Sequence, residues 1–237
     1  AVRRDNYAPA PFDLSRQPAS EPSGCFDRYD GANGCNAPAG DEPGAFERPI
    51  GTYRMAYSFV GEATPGRPAL HFAPHASTTS LYFPVLCACE TPPAPLARGT
   101  VRAIDRASAY WAFRLVKHVA RGLPWNRCLE AIKARQKLWE ARFARALATA
   151  SDDDDGATLR ALADEAVADW GVLHDELLLR FGDGWEFDFA GDGRRPIDTG
   201  KPIAYPREYL DLVGFNAPHA PPPPVLWTVA EKQRVRG

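Results

Sequence analysis

The sequence predicts an α+β fold in which strands come first and a long helical hairpin follows. Proline divides the chain, since 14 of its 23 prolines lie in residues 1–100, one in 101–190 and 8 in 191–237. Because proline removes a backbone donor and clashes inside helices, we expect the helices between about residues 105 and 182. Residues 49–104 should then hold the strands, between an extended loop at 1–48 and a loop-rich tail at 183–237, all in a single domain.

The first 48 residues predict an extended loop because Pro, Gly, Asp, Asn and Ser dominate them. A loop this long is unusual inside a compact domain. It is functional, packs over another segment or lacks its partner. Cys25 and Cys35 lie within it and would be able to form a disulfide in an oxidising compartment, although five cysteines in 237 residues are not a disulfide scaffold.

Three strands are expected before the helices. In residues 52–60 the aromatic side chains fall on one face, and Arg54 falls on the other. Residues 69–73 follow a Pro-Gly turn. Residues 81–89 are nearly all apolar, as is typical of a strand buried on both faces, with Pro84 at a bulge or an edge. Cys87 and Cys89 would share one side of that strand, and we interpret them as small core residues because no further ligand pair follows at metal-binding distance.

Three helices are expected next. The first begins at Asp105 as N-cap and ends at Gly122, and the third ends at Gly182 as a C-cap. The second and third have apolar faces and would pair as an antiparallel hairpin through residues 151–156, whose four aspartates we interpret as a solvated helix cap rather than a calcium loop. These faces consist of Trp125, Leu129, Ile132, Gln136, Trp139, Phe143 and Leu147, and of Leu159, Leu162, Ala166, Trp170, Leu173, Leu177 and Phe181.

Composition excludes several functional classes. With 28 Lys+Arg, 30 Asp+Glu and a net charge of −2, the chain lacks the basic excess of nucleic-acid-binding proteins. It has no apolar run long enough for a membrane helix, no visible signal peptide and no nucleotide-binding or serine-hydrolase motif. The cytoplasm is the favoured compartment. Pro221 to Pro224 form a polyproline segment that is either a stiff spacer or a site for an SH3-like partner.

Six segments form an ordered series along the chain. They are Tyr7 with Pro11-Phe12-Asp13-Leu14, Glu47-Arg48-Pro49-Ile50 with Tyr53-Arg54 and Tyr57-Ser58-Phe59-Val60, Phe72-Ala73-Pro74 with Thr78-Thr79 and Tyr82-Phe83-Pro84, residues 105–113 (Asp-Arg-Ala-Ser-Ala-Tyr-Trp-Ala-Phe), Asp175-Glu176-Leu177-Leu178 with Asp183-Gly184, and Tyr205-Pro206 with Leu210 and Val213-Gly214-Phe215. Together they resemble the C-terminal half of the bacterial-type cysteine dipeptidases, a group of N-terminal-nucleophile hydrolases that includes the secernins. His75 departs from the family pattern, which has Asp there, and Leu81 stands where Cys or another residue occurs.

The resemblance implies part of an αββα fold and hydrolysis of dipeptides through a thioester, with no metal or organic cofactor. In this family the nucleophile is an N-terminal Cys exposed by removal of a propeptide, and its own α-amino group is the base. The matches are to the C-terminal half and residue 1 is Ala, so we expect no catalytic residue in this chain. An internal thiol such as Cys87 or Cys128 cannot supply both groups, and the chain alone is expected to be inactive. Its partners would be a dipeptide substrate, an N-terminal half carrying the Cys and, as a further possibility, a second copy of the chain.

Three residues are candidates for substrate binding. Arg54 would clamp a substrate carboxylate with two hydrogen bonds or form a structural ion pair. His75 follows a strand and would reach a pocket or lie exposed in its loop. Tyr82 would donate to an oxyanion or pack as a strand aromatic.

Two rival interpretations remain beside the dipeptidase. One is a non-catalytic secernin-like scaffold or binding module, and an upstream segment opening with Cys would argue against it. The other is a truncated gene product without function, whose exposed apolar strands would make it aggregate.

Overall fold

The computed structural model describes residues 51–52, 55–150, 156–187, 200–204 and 207–212. Arg54, Cys25, Cys35, the four aspartates and the proline run at 221–224 lie outside these residues. The described strands are β1 (Tyr57–Glu62), β2 (Ala69–Pro74), β3 (Phe83–Leu86), β4 (Trp185–Glu186) and β5 (Lys201–Pro202), and the helices are α1 (Ala94–Ala97), α2 (Ala109–Gly122), α3 (Trp125–Thr149), α4 (Ala157–Phe181) and α5 (Arg207–Leu212). This mixture of helices and small sheets confirms the α+β class.

The three longer strands form an antiparallel sheet in the order β1-β2-β3. The first strand was predicted at 52–60, but it begins at Tyr57 and continues to Glu62. The middle strand of the sheet, β2, agrees with the strand predicted at residues 69–73. Pro84 lies in β3, an edge strand of the described sheet, where a missing backbone N–H is tolerated.

The third strand is shorter than the predicted 81–89. It ends at Leu86 because Cys89 N donates to the Leu86 carbonyl at 3.1 Å and closes a turn. Cys87 is exposed and Cys89 half-buried, so they do not share a buried strand face. The interpretation of both cysteines as core residues is wrong for Cys87, while Cys89 packs at the margin of the core.

Helices α3 and α4 form the predicted antiparallel hairpin. Arg142 Nη2 lies 2.6 Å from Glu165 Oε2, and Arg135 Nη2, about two turns earlier, lies 2.6 Å from Glu176 Oε2. The predicted apolar faces are buried except for Leu147 and Leu162, which are half-buried at the margin. Burial of these two stripes is what stabilises the pair, because the outer faces carry the charged residues.

One predicted helix cap is wrong and the other is confirmed. The N-cap of α2 is Ser108, and Asp105 instead accepts a hydrogen bond from Ala107 N at 3.0 Å in the preceding turn. At the end of α4, Gly182 is the C-cap, as predicted, although its φ of −66° is not left-handed. The chain continues there through a 3₁₀ turn, Gly182–Gly184, and the left-handed residue is Gly184 with φ 77°.

The core lies between the sheet and the three long helices. The Phe83 ring is 5.7 Å from Phe113 on α2 and 5.5 Å from Phe143 on α3, and Phe113 meets Trp170 on α4 edge-on at 5.2 Å. All four rings are almost completely buried. Aromatic contacts thus pack β3 against α2 and α3, and α2 against α4. In the part of the chain that is described, no helix is both long and apolar enough to cross a membrane.

Candidate functional site

The loop between β2 and β3 is buried along its whole polar stretch, from Ser77 to Ser80. Loops normally lie on the surface because their backbone groups need water. Here side chains replace the water. Gln136 Nε2 donates to the Thr78 and Ser80 carbonyls at 3.1 and 2.9 Å, and Trp170 Nε1 donates to the Thr79 carbonyl at 3.1 Å. Three successive carbonyls are therefore held by α3 and α4, and the loop has a fixed position.

His75 opens this loop directly after β2, as the sequence predicts. The residue is only 2% exposed, so the interpretation as an exposed loop histidine is wrong. Its φ is 63°, in the left-handed region, where histidine is among the better tolerated residues but still carries a cost of about 1–2 kcal/mol. The backbone N–H of His75 donates to the Ala56 carbonyl at 2.7 Å, which ties the strained residue to the chain before β1.

The His75 imidazole is neutral at physiological pH. Burial, followed by the positive charges of Arg114, Lys117 and His118, lowers its pKa from 6.5 to about 3. Its Nδ1 atom is buried and hydrogen bonds to no group among the residues that the structure describes. An unpartnered buried nitrogen of this kind is rare and calls for a cause, such as a ligand.

One face of α2 lies opposite His75. The His75 ring meets the Tyr110 ring edge-on, with centroids 5.5 Å apart. One turn later, Arg114 Nη1 donates to Tyr110 Oη at 2.8 Å, and Lys117, which is fully buried, holds its Nζ 4.3 Å from the centre of the Trp125 ring. This face is both aromatic and cationic, which suits the recognition of negatively charged groups.

Tyr82 is the second predicted site residue, and it lies just before β3. The side chain is half-buried, and its hydroxyl is 2.8 Å from Ser58 Oγ on β1, with either oxygen able to donate. The structure therefore joins Tyr82 to β1 and His75 to α2. Arg54, the third predicted residue, lies outside the described residues.

Sequence reasoning missed the role of Gln136, Trp170, Tyr110 and Arg114. Gln136 carried a usable signal, since it is a polar residue in the apolar stripe of a predicted helix and a buried amide needs partners. Tyr110 and Arg114 carried none, because an aromatic residue and a basic residue one turn apart are ordinary on any helix surface.

The described cysteines do not resemble an activated nucleophile. Cys128 is fully buried in the core, and burial raises its thiol pKa to about 12. Cys87 is exposed, and Cys89 packs against Gly156 at the start of α4, where an added Cβ would lie 2.5 Å from its Sγ. Across the described ranges, no group of three or more His, Cys, Asp or Glu side chains is arranged to hold a metal ion.

No family model, no curated protein and no solved structure matches this chain. Four of the six ordered sequence segments contact one another in the fold. Segments 72–84 and 105–113 meet through the His75–Tyr110 and Phe83–Phe113 ring pairs. Segment 57–60 contacts segment 72–84 through the hydrogen bond between the Ser58 and Tyr82 hydroxyls. The fourth segment, which begins at Asp175, contacts segment 105–113 through Arg106, whose Nη1 lies 3.5 Å from Asp175 Oδ1.

Proposed function

We propose that this chain is the C-terminal part of a cysteine-type dipeptidase of the N-terminal-nucleophile class, with an αββα fold completed by an N-terminal half. One observation carries the proposal. Four segments that resemble this family, separated by up to about a hundred residues, are connected by pairwise contacts, of which two involve the ends of the His75 loop and one joins Arg106 to Asp175. Segments that build one active site must lie together, whereas unrelated matches would be free to scatter over the surface.

The reaction follows from the chemistry of an N-terminal thiol. The α-amino group takes the thiol proton, the thiolate attacks the peptide carbonyl, and the amine leaves with a proton as the C–N bond breaks. Water then cleaves the thioester, which releases the first amino acid and restores the thiol. Cys128 cannot start this sequence, because a buried thiol with a pKa of about 12 stays protonated near neutral pH.

This chain would contribute binding and orientation. Tyr82 would donate a hydrogen bond from its hydroxyl to the oxyanion, with Ser58 Oγ in contact with the same hydroxyl at 2.8 Å. The loop that carries Tyr82 is preorganised, since Gln136 and Trp170 hold its carbonyls before any substrate arrives. Arg54 remains the candidate clamp for a substrate carboxylate.

The first test is the intact mass and N-terminal sequence of the native protein from its source. A longer species, or a second chain, that opens with Cys supports the proposal. The assembled protein should then hydrolyse a panel of unblocked dipeptides, and Cys→Ser at that first position should abolish turnover while leaving the fold intact. Turnover by the 237-residue chain alone, lost on Cys87→Ser or Cys128→Ser, would contradict the proposal.

A non-catalytic scaffold is the second candidate, and the surface of β1 favours it. Tyr57, Phe59 and Val60 are 56%, 49% and 46% exposed, which is unusual for three large apolar residues on one short strand. An apolar strand at the edge of the described sheet is suited to pairing with a partner strand. A native assembly without a Cys-led chain, and without dipeptide turnover, would favour this role.

A further inference from the structure

Three hydrogen-bond donors with spare capacity lie together between the His75 loop and α2. His75 Nδ1 is buried without a partner among the described groups. Tyr110 Oη accepts a hydrogen bond from Arg114 Nη1, so the phenol O–H is still able to donate a hydrogen bond. Arg114 has donors besides Nη1, and within the described part of the chain its guanidinium donates to the Tyr110 hydroxyl and lies near the Tyr110 and Trp111 rings.

The charge around these donors is positive. The basic groups that act on His75 are Arg114, Lys117 and His118, all on α2, and burial lowers the pKa of His118 itself. Lys117 and His118 have contacts of their own, and they add to the local field rather than supply the donors. A half-buried site with low dielectric strengthens the attraction of such a group for an anion.

We propose that His75, Tyr110 and Arg114 bind the carboxylate of a small molecule. A guanidinium presents two parallel N–H donors that match the two oxygens of a planar carboxylate, and Tyr110 and the Nδ1–H tautomer of His75 supply the remaining donors. In the proposed dipeptidase the ligand is the free C-terminal carboxylate of the dipeptide, which would then be held here rather than by Arg54, and only this last identification rests on the proposed function.

Binding has a consequence that can be observed at His75 itself. An anion beside the imidazole offsets the positive charges of Arg114 and Lys117 and accepts a hydrogen bond from Nδ1, so the pKa of His75 should rise. The chain has only five histidines, so ring-nitrogen signals of ¹⁵N-histidine-labelled protein can be assigned from the one lost in His75→Asn.

The experiment is a titration of the labelled 237-residue chain with sodium acetate, at constant ionic strength kept by sodium chloride. We expect the ring signals of His75 to shift to saturation, and acetamide, the neutral analogue, to shift them little. Arg114→Gln should weaken acetate binding at least about tenfold, and Tyr110→Phe several-fold, as loss of charge-assisted hydrogen bonds predicts. Arg98→Gln is the matched control, because Arg98 is an exposed arginine paired with Asp105 at 2.8 Å, and its binding should be unchanged.

Three results would overturn the site: a shift that never saturates, an equal shift with acetamide, or equal acetate binding by Arg114→Gln. Tighter binding of inorganic phosphate than of acetate would overturn the carboxylate identity. If Arg114→Gln does not fold, Tyr110→Phe, which removes one oxygen, decides instead. Saturable acetate binding without dipeptide turnover by the assembled protein would support the carboxylate site and argue against the dipeptidase function. Dipeptide turnover without acetate binding would support the dipeptidase function and overturn the carboxylate site.

Discussion

The side-chain amide of Gln136 donates a hydrogen bond to the Ser80 carbonyl at 2.9 Å, although 56 residues separate them in the chain. The same nitrogen also reaches the Thr78 carbonyl. One polar residue in the apolar face of α3 therefore satisfies two buried backbone groups of the loop between β2 and β3. This contact links the helical hairpin to the candidate site, because His75 and Tyr82 stand at the two ends of that loop.

Gln136→Leu should destabilise the protein by about 2–4 kcal/mol, because it leaves two buried carbonyls without donors while keeping the side-chain volume. Urea unfolding followed by circular dichroism measures this loss. Lys137→Ala, at the exposed neighbouring position, is the control and should change stability by less than about 0.5 kcal/mol. A cost for Gln136→Leu no larger than that of the control would mean that the loop is not held by this amide.

Stability should fall as pH falls below about 6.5, owing in large part to His75. Its folded-state pKa of about 3 lies below the unfolded value of 6.5, so between these values the unfolded chain binds more protons than the folded chain. The stability present above pH 6.5 is therefore lost on acidification, by about 2 kcal/mol between pH 7.5 and 5. His118, whose pKa is also lowered chiefly by burial, acts in the same direction.

Urea unfolding at a series of pH values tests this. His75→Asn keeps a residue that tolerates the left-handed backbone and removes the titrating ring, so its acid-induced loss should be clearly smaller than that of the native chain. Lys137→Ala, at an exposed position of α3, is the control and should keep the full loss. Identical pH profiles for His75→Asn and the native chain would show that His75 is not buried neutral.

Periodicity was enough to predict the helical hairpin and the middle strand. Trp125, Ile132 and Trp139 repeat at helical spacing and are buried as that spacing requires. The ends of the strands and helices were harder to predict from the sequence. The turn that ends β3 at Leu86 depends on a backbone hydrogen bond from Cys89, which no side-chain pattern records, and the choice between Asp105 and Ser108 as N-cap lay between two equally suitable residue types.

The candidate site could be predicted only in part. Sequence placed His75 after a strand, but its burial depends on α2, which begins 34 residues later. Its pKa likewise depends on Arg114, which local sequence does not connect with it. Tertiary contacts of this kind leave no periodic signal, so the donor cluster of His75, Tyr110 and Arg114 became visible only in the fold.

Cysteine labelling should separate the exposed thiol from the buried one. Cys87 should react with iodoacetamide in the folded protein within minutes, whereas Cys128 should react only after unfolding, because burial excludes the reagent and raises its thiol pKa to about 12. Peptide mapping by mass spectrometry, with and without urea, measures both sites in one sample. Rapid labelling of Cys128 in the folded protein would argue against the packing of α3 described above.

A double-mutant cycle on Ser58 and Tyr82 should measure how strongly β1 is tied to the start of β3. Their hydroxyls lie 2.8 Å apart, so Ser58→Ala and Tyr82→Phe should show a coupling energy of about 0.5–1.5 kcal/mol in urea unfolding. The cycle is needed because Tyr82 has a further contact, whose loss would inflate the single-variant value. Additive effects of the two substitutions would mean that the hydroxyl pair contributes nothing to stability.

In an assembled and active protein, Tyr82→Phe should also lower kcat by about a hundredfold or more with KM little changed, as expected for an oxyanion donor, while Ser58→Ala should lower kcat much less. Equal losses from the two variants would assign Tyr82 a structural role only.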